Sequence, residues 1–128
     1  MLAGMVVAIV GSRDFADRAL VRRVVAGLRE EFGETLEVIS GGATGADTLA
    51  IEAAMFLGVR DREIRPDDAR WGDRAHAVRN GQLVEAADLV VAFFSPGERT
   101  PGTSETLAMA RVKGIPTRVF HEGAWTDR

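Results

Sequence analysis

A chain of 128 residues, 46% of them hydrophobic and 27% charged, has the length and composition of one folded domain over residues 1–128 and leaves little room for a second. No apolar run is long enough to span a bilayer, residues 1–5 lack the basic character of a signal peptide, and the absence of cysteine excludes disulfide and thiolate chemistry; together these features fit a cytoplasmic protein. The net charge of −3 sets the surface as a whole against nucleic acid while leaving room for a local basic pocket.

Residues 5–10 form an unbroken apolar run, the pattern of a central parallel strand buried on both faces. The run ends at Gly11-Ser12-Arg13, which places a hydroxyl and a fixed positive charge where open α/β sheets bind ligands. Arg13 is equally open to a surface pair with Asp14 or Asp17. Asp17 is positioned to cap a helix whose apolar positions Leu20, Val21, Val24, Val25, Leu28 and Phe32 keep the helical period and which Gly33 ends.

Residues 36–39 supply the second strand, and Gly41-Gly42-Ala43-Thr44-Gly45 turns it into a helix with Ala46, Leu49, Ala50, Ala53, Ala54 and Leu57 on one face. Gly58 terminates that helix. Glycines at three of five turn positions permit positive φ and let backbone N–H groups close around an anion at the positive end of the helix. No Lys follows the last glycine, so this is not the phosphate loop of an ATPase, and the spacing fits the dinucleotide fingerprint poorly. The simpler reading is that the glycines only allow a tight strand-to-helix turn. Asp47 is placed either to bond a ribose hydroxyl or to cap the helix.

A short edge strand is expected over residues 63–65, closed by Pro66, and a loop holding Trp71 over 67–72. Asp73 is then expected to cap a helix with Ala75, Val78, Leu83, Ala86 and Ala87 on its buried side. Arg79 falls at the edge of that apolar face and needs an anionic partner, either a ligand or Glu85 or Asp88. Asn80 is placed to orient Arg79 or to touch a base, and Gly81 suggests close packing against another element. Residues 89–94 are a second all-apolar strand, followed by a long loop over 95–103. Gly102, Thr103, Ser104 and Glu105 open a helix carrying Leu107, Ala108, Ala110 and Val112, stopped by Gly114 and Pro116. A last strand over 117–120 precedes a polar tail. His76 and His121 are too isolated for a metal site and are expected on the surface.

Strand and helix alternate about five times, which predicts a Rossmann-like, doubly wound α/β fold with a mainly parallel sheet and right-handed crossovers. That topology gathers Ser12 and Arg13, the 41–45 turn and the 95–104 segment at one rim, with Arg79 in reach.

The segments V-A-I-V-G-S-R at 7–13, V-I-S-G-G-A-T-G-A-D at 38–47, R-N at 79–80 followed by A-D-L-V-V-A-F at 87–93, and G-T at 102–103 resemble the SLOG superfamily of Rossmann-like proteins. The resemblance spans residues 7–119 and is greatest to its small single-domain YspA-like members, in which tryptophan, arginine-asparagine and the strand follow in this order. It implies a phosphorylated nucleotide or nucleotide derivative as ligand, with no cofactor. Gly11, Gly41, Gly42, Thr44, Gly45, Gly102, Thr103 and Ser104 would supply phosphate-binding turns, and Ser12, Arg13, Arg79, Asn80 and Asp47 the polar shell. Likeness to the Lonely Guy phosphoribohydrolases would make Arg79 act with a glutamate on an N-glycosidic bond. The position of that glutamate holds Thr106 here, and Glu105 is one residue early, a turn of about 100° on a helix. Likeness to DprA would imply single-stranded DNA, against which stand the acidic balance and a total of six Phe and two Trp. Self-association as a homodimer or higher homo-oligomer is expected by analogy with relatives that pair through their helices.

Overall fold

The computed structural model describes residues 4–96 and 101–121. Strands β1 (Val6–Gly11), β2 (Glu37–Ser40), β3 (Arg60–Glu63), β4 (Leu89–Phe94) and β5 (Thr117–His121) alternate with helices α1 (Arg18–Phe32), α2 (Ala46–Leu57), α3 (Asp68–Trp71), α4 (Ala75–Ala86) and α5 (Pro101–Lys113). All strand pairs are parallel, in the order β3-β2-β1-β4-β5, which is the Rossmann-like arrangement expected from the sequence.

The two all-apolar runs take the centre of this sheet because only there are both faces covered. Ala8 of β1 faces Ile39 of β2 on one side and Val90 of β4 on the other. Alternate residues enter opposite layers: Val7, Ile9, Val91 and Phe93 pack with α1 and α2, while Ala8, Val10, Val90 and Ala92 pack with α4 and α5. Each buried Val, Ile, Leu or Phe contributes about 1.5–3 kcal/mol, so the carboxyl ends of β1 and β4 form a fixed floor for whatever sits above them.

Local signals explain the helices. The Asp17 carboxylate accepts the Leu20 N–H at 3.0 Å and starts α1, which buries Leu20, Val21, Val25 and Leu28. In α2 the buried face is largely alanine, at 46, 50, 53 and 54, so the helix lies close against the sheet. No helix among the described residues is long and apolar enough to cross a membrane.

Several expected boundaries move. The third strand is Arg60–Glu63, not 63–65, although it is an edge strand as expected. All its residues are exposed, so its own pattern carries no hydrophobic signal, and pairing with β2 fixes its place, with Val38 opposite Asp61 and Ser40 opposite Glu63. Within 67–72, Asp67 accepts the Arg70 N–H at 3.1 Å and caps the single-turn α3 where a loop was expected. Asp73 lies inside a 3₁₀ turn, Gly72–Arg74, and does not cap α4.

Helix α5 begins at Pro101, because proline fits the first helical position, where its missing N–H costs nothing. Gly102 and Thr103 therefore lie in a first helical turn, not in the loop. The α5 stripe is Thr103, Thr106, Leu107 and Ala110, whereas Ala108 and Val112 are exposed. A Cβ on Gly81 would meet no atom within 4 Å, so the close packing expected there is not found. Residues 97–100 of the 95–103 loop and the tail from 122 onward lie outside the described residues.

Candidate functional site

The sheet order reverses direction between β1 and β4, the topological switch point at which open α/β sheets leave a crevice above the strand ends. Two adjoining clefts open there. The first, about 330 Å³, lies between the end of β1 at Gly11, the inner face of α4 and the first turn of α5. The second, about 400 Å³, lies between the glycine turn after β2 and the segment after β3. Arg13, Ala43, His76 and Arg79 border both.

Arg79 is the centre of this arrangement. It stands on the inner face of α4 and is only 8% exposed. Its Nε donates to Asn80 Oδ1 at 2.8 Å and its Nη1 to the Gly41 carbonyl at 2.6 Å. A Cβ on Gly41 would collide with this guanidinium, so glycine at 41 leaves the room that the arginine occupies. Neither carboxylate considered from the sequence is its partner: Glu85 pairs with Lys113 at 2.8 Å, and Asp88 accepts the Val6 N–H at 2.9 Å. Among the described residues no carboxylate lies within ion-pairing distance of Arg79. Burial holds its pKa below the ordinary guanidinium value, the Asp47 charge opposes that shift, and the positive charge of Arg13 adds to it.

Asp47 lies in the first turn of α2 but does not cap it; the capping position is Gly45, with no side-chain bond. Its Oδ2 accepts the Ala43 N–H at 3.2 Å, and the Gly41 amide also stabilises the carboxylate. Burial nevertheless dominates and pushes its pKa up to about 6, against the lowering by the Ala43 amide, the Arg79 charge and the Gly41 amide. The turn is braced further by Thr48 Oγ1, which donates to the Ala43 carbonyl at 2.8 Å, and by the Ala46 N–H, which donates to the Ser12 carbonyl at 3.2 Å. Gly45, with φ 76°, crosses the end of β1 so closely that a Cβ would strike the Ser12 and Arg13 carbonyls. The glycines thus serve a tight turn, and that turn forms a wall of the second cleft.

The expected residues separate into two groups. Gly11, Asp47, Asn80, Gly102 and Thr103 border the first cleft alone, Gly41, Gly42 and Thr44 the second alone, and Arg13 and Arg79 both. Arg13 is exposed and pairs with neither neighbouring acid, since Asp14 accepts from Ser95 Oγ at 2.9 Å and Asp17 caps α1. Ser12 is fully buried and its Oγ accepts the Ser95 N–H at 3.2 Å, tying β1 to the segment after β4; it lines neither cleft. Gly45 sits beneath the turn and also lines neither. Ser104 and Glu105 are exposed and outside both clefts. Arg79 and Glu105 are therefore not brought together. Thr106 faces the first cleft instead, its Oγ1 donating to the Gly102 carbonyl at 2.8 Å.

Two basic side chains were missed. Arg65 follows β3 at its carboxyl end, where strands of this fold present ligand-facing residues, and it borders the second cleft while pairing with Glu63 at 3.2 Å. His76, exposed as expected, lies three residues before Arg79, a spacing that puts both on one side of α4. Among the described residues no group of His, Asp or Glu is arranged to hold a metal.

Known proteins repeat this architecture. The model of the YspA, cpYpsA-related SLOG family (YAcAr) matches residues 5–71, which include Arg13, the glycine turn and Arg65. The Gene 61 protein of Mycobacterium phage D29 is 34% identical over 120 residues, covering 89% of this chain and 94% of that one. Among solved structures, DNA processing protein A (DprA) from Streptococcus pneumoniae is similar at 19% identity with a TM-score of 0.59, over 89% of this chain and 58% of that chain. DprA from Helicobacter pylori, described by its single-stranded DNA binding mode, is similar at 16% identity with a TM-score of 0.71, over 91% of this chain and 65% of that one. At such identities these two structures speak for the fold, and the chain spans less than two thirds of their length. With a family model over half its length and a relative along most of it, the chain belongs to the YspA, cpYpsA-related SLOG family.

Proposed function

We propose that this protein binds a phosphorylated nucleotide or nucleotide derivative in the clefts at the carboxyl ends of β1, β2 and β4. The observation that carries this reading is Arg79, a buried guanidinium bordering both clefts with no carboxylate in pairing distance among the described residues. A cation taken out of water at such cost is compensated best by an anion that arrives with the ligand. Arg13 adds a second positive charge, and the first turn of α5, with Gly102 and Thr103, adds helix-end N–H groups and a hydroxyl.

Binding without turnover is favoured over phosphoribohydrolase action. Hydrolysis of an N-glycosidic bond needs a carboxylate at the sugar, and Glu105 lies outside the clefts. Asp47 borders the first cleft, yet its oxygen is bonded to the Ala43 N–H.

A thermal-shift series with nucleoside monophosphates and diphosphates and a short oligonucleotide tests the reading, since a ligand that binds only the folded state raises the Tm. A rise with one or more nucleotides, with no free base on chromatography, is the expected result. A rise with the oligonucleotide alone, falling steeply as salt is added, would transfer the site to single-stranded DNA.

A further inference from the structure

Two clefts meet at one cationic junction, and their walls differ. The first has Val10, Leu83 and Pro101 among its walls, with Asn80, Thr103 and Thr106 between them and Asp47 and His76 at its border. Apolar surface with an amide and hydroxyls at its margin suits a heteroaromatic ring, which needs contact area and a few directed hydrogen bonds. The second cleft is bordered by the backbone of the glycine turn, Thr44, Arg65 and Asp68. A guanidinium, a carboxylate, a hydroxyl and the N–H groups of the turn not bonded to Asp47 suit a hydroxylated group. Between them stand Arg13 and Arg79, the charges that suit bridging phosphates. At about 330 and 400 Å³, each cleft alone is at the small end of the range of about 300–1,000 Å³ that ligand sites occupy.

We propose that the clefts form one two-lobed site for a nucleoside diphosphate whose terminal phosphate carries a second, hydroxylated group. The base occupies the first cleft, the pyrophosphate lies at Arg13 and Arg79, and the second group meets Arg65, Asp68 and the glycine turn. This rests on the nucleotide reading above and adds the class of nucleotide. Arg65 is the specificity-determining residue, because it borders the second cleft and not the first. Its side chain is largely exposed, so it can be removed without threatening the fold.

The test is calorimetry on the full chain at one salt concentration. Matched series share a base: AMP, ADP and ADP-ribose; GMP, GDP and GDP-mannose; UMP, UDP and UDP-glucose. For the base that fits, the sugar-linked diphosphate binds about tenfold or more tighter than the monophosphate and the plain diphosphate. Arg65→Ala removes most of that advantage, lowering affinity for the sugar-linked diphosphate by a larger factor than affinity for the monophosphate. Equal affinities for the monophosphate and the sugar-linked diphosphate, or an advantage already present in the plain diphosphate, overturn the two-lobed site and leave the nucleotide reading standing. Wild-type discrimination in the Arg65→Ala protein overturns the placement of the second group. No binding in any series, or binding of an oligonucleotide only, overturns both readings.

Discussion

Arg79 and Gly41, 38 residues apart in sequence, are joined by a 2.6 Å hydrogen bond from the Arg79 Nη1 to the Gly41 carbonyl. The bond ties α4, reached through the crossover from one edge of the sheet, to the turn that follows β2 near its centre. It also holds a positive charge in a fixed orientation, since the Asn80 amide oxygen takes the Nε. A guanidinium positioned on two sides before any ligand arrives loses little freedom on binding, which is how preorganisation raises affinity.

Arg79→Ala leaves the Gly41 carbonyl without this donor and is expected to cost about 1–3 kcal/mol of stability. Nucleotide affinity should fall further, by about tenfold or more, because a charge-assisted contact to phosphate is lost. Arg79→Lys retains the charge but cannot reproduce the two fixed bonds, so it should recover stability poorly and affinity only in part. Urea denaturation and calorimetry on the three proteins measure both effects. A variant that is strongly destabilised yet binds normally when folded would make Arg79 a structural residue only.

Gly41→Ala places a methyl group where the guanidinium lies. The arginine must move, so this substitution should lower affinity about as much as removing Arg79, at a stability cost of about 1–3 kcal/mol. Gly42→Ala is the contrasting case: it adds backbone strain at φ 77°, of the order of 1–2 kcal/mol, and its Cβ crowds Glu63 and Arg65 at 3.1 and 3.3 Å instead of Arg79, so the comparison is read on monophosphate affinity. Affinity lost equally in both would point to the shape of the turn and not to the arginine.

Asp47 makes the stability of the fold depend on pH. Its pKa is about 6 in the folded protein against an ordinary value of 3.8, so the folded state holds its proton more tightly than the unfolded one. Stability from this group is therefore greatest below about pH 4, declines as pH rises through 6, and levels off above. Over that window the loss is about 3 kcal/mol. Asp47→Asn removes the titration, so the stability of the variant relative to wild type should increase by that amount between pH 4 and 7, read by urea unfolding at several pH values. A relative stability that stays flat across the window contradicts this account of Asp47.

The register of α5 yields a paired prediction. Glu105 is exposed and Thr106 buried, so Glu105→Gln should leave stability within about 0.5 kcal/mol and ligand binding unchanged. Thr106→Val removes the bond to the Gly102 carbonyl and should cost about 1 kcal/mol and weaken binding in the first cleft. Loss of binding in Glu105→Gln alone would mean that the helix presents its other face to the ligand.

What the sequence revealed follows from where burial leaves a mark. β1 and β4 are continuous apolar runs because both faces are covered, and that pattern alone sets the centre of the sheet. Arg79 was visible for the opposite reason, as a guanidinium at the margin of an apolar helix face. Strand β3 was misplaced because Arg60, Asp61, Arg62 and Glu63 are all exposed, and their position is set by β2 and not by their own pattern. Arg65 ends the strand expected over 63–65 and was missed all the same, because a wholly polar edge segment gives no sign of which side chains border a cleft. The start of α5 is hidden because Pro101 reads as a loop residue beside Pro96, Gly97 and Gly102, although proline is favoured at the first position of a helix. No sequence pattern revealed that Ser12 faces inward to the Ser95 amide while Arg13 beside it faces the clefts.

Nucleotide binding at Arg79 is tested by a map of backbone amide chemical shifts on adding the nucleotide that binds best in the thermal-shift series. Perturbations concentrated at residues 41–45, 79–80 and 101–106, and absent from the Arg79→Ala protein, are the expected result. Perturbations confined to the groove between α1 and β5, lined by Leu20, Val24 and Phe120, or persisting unchanged without Arg79, would contradict it.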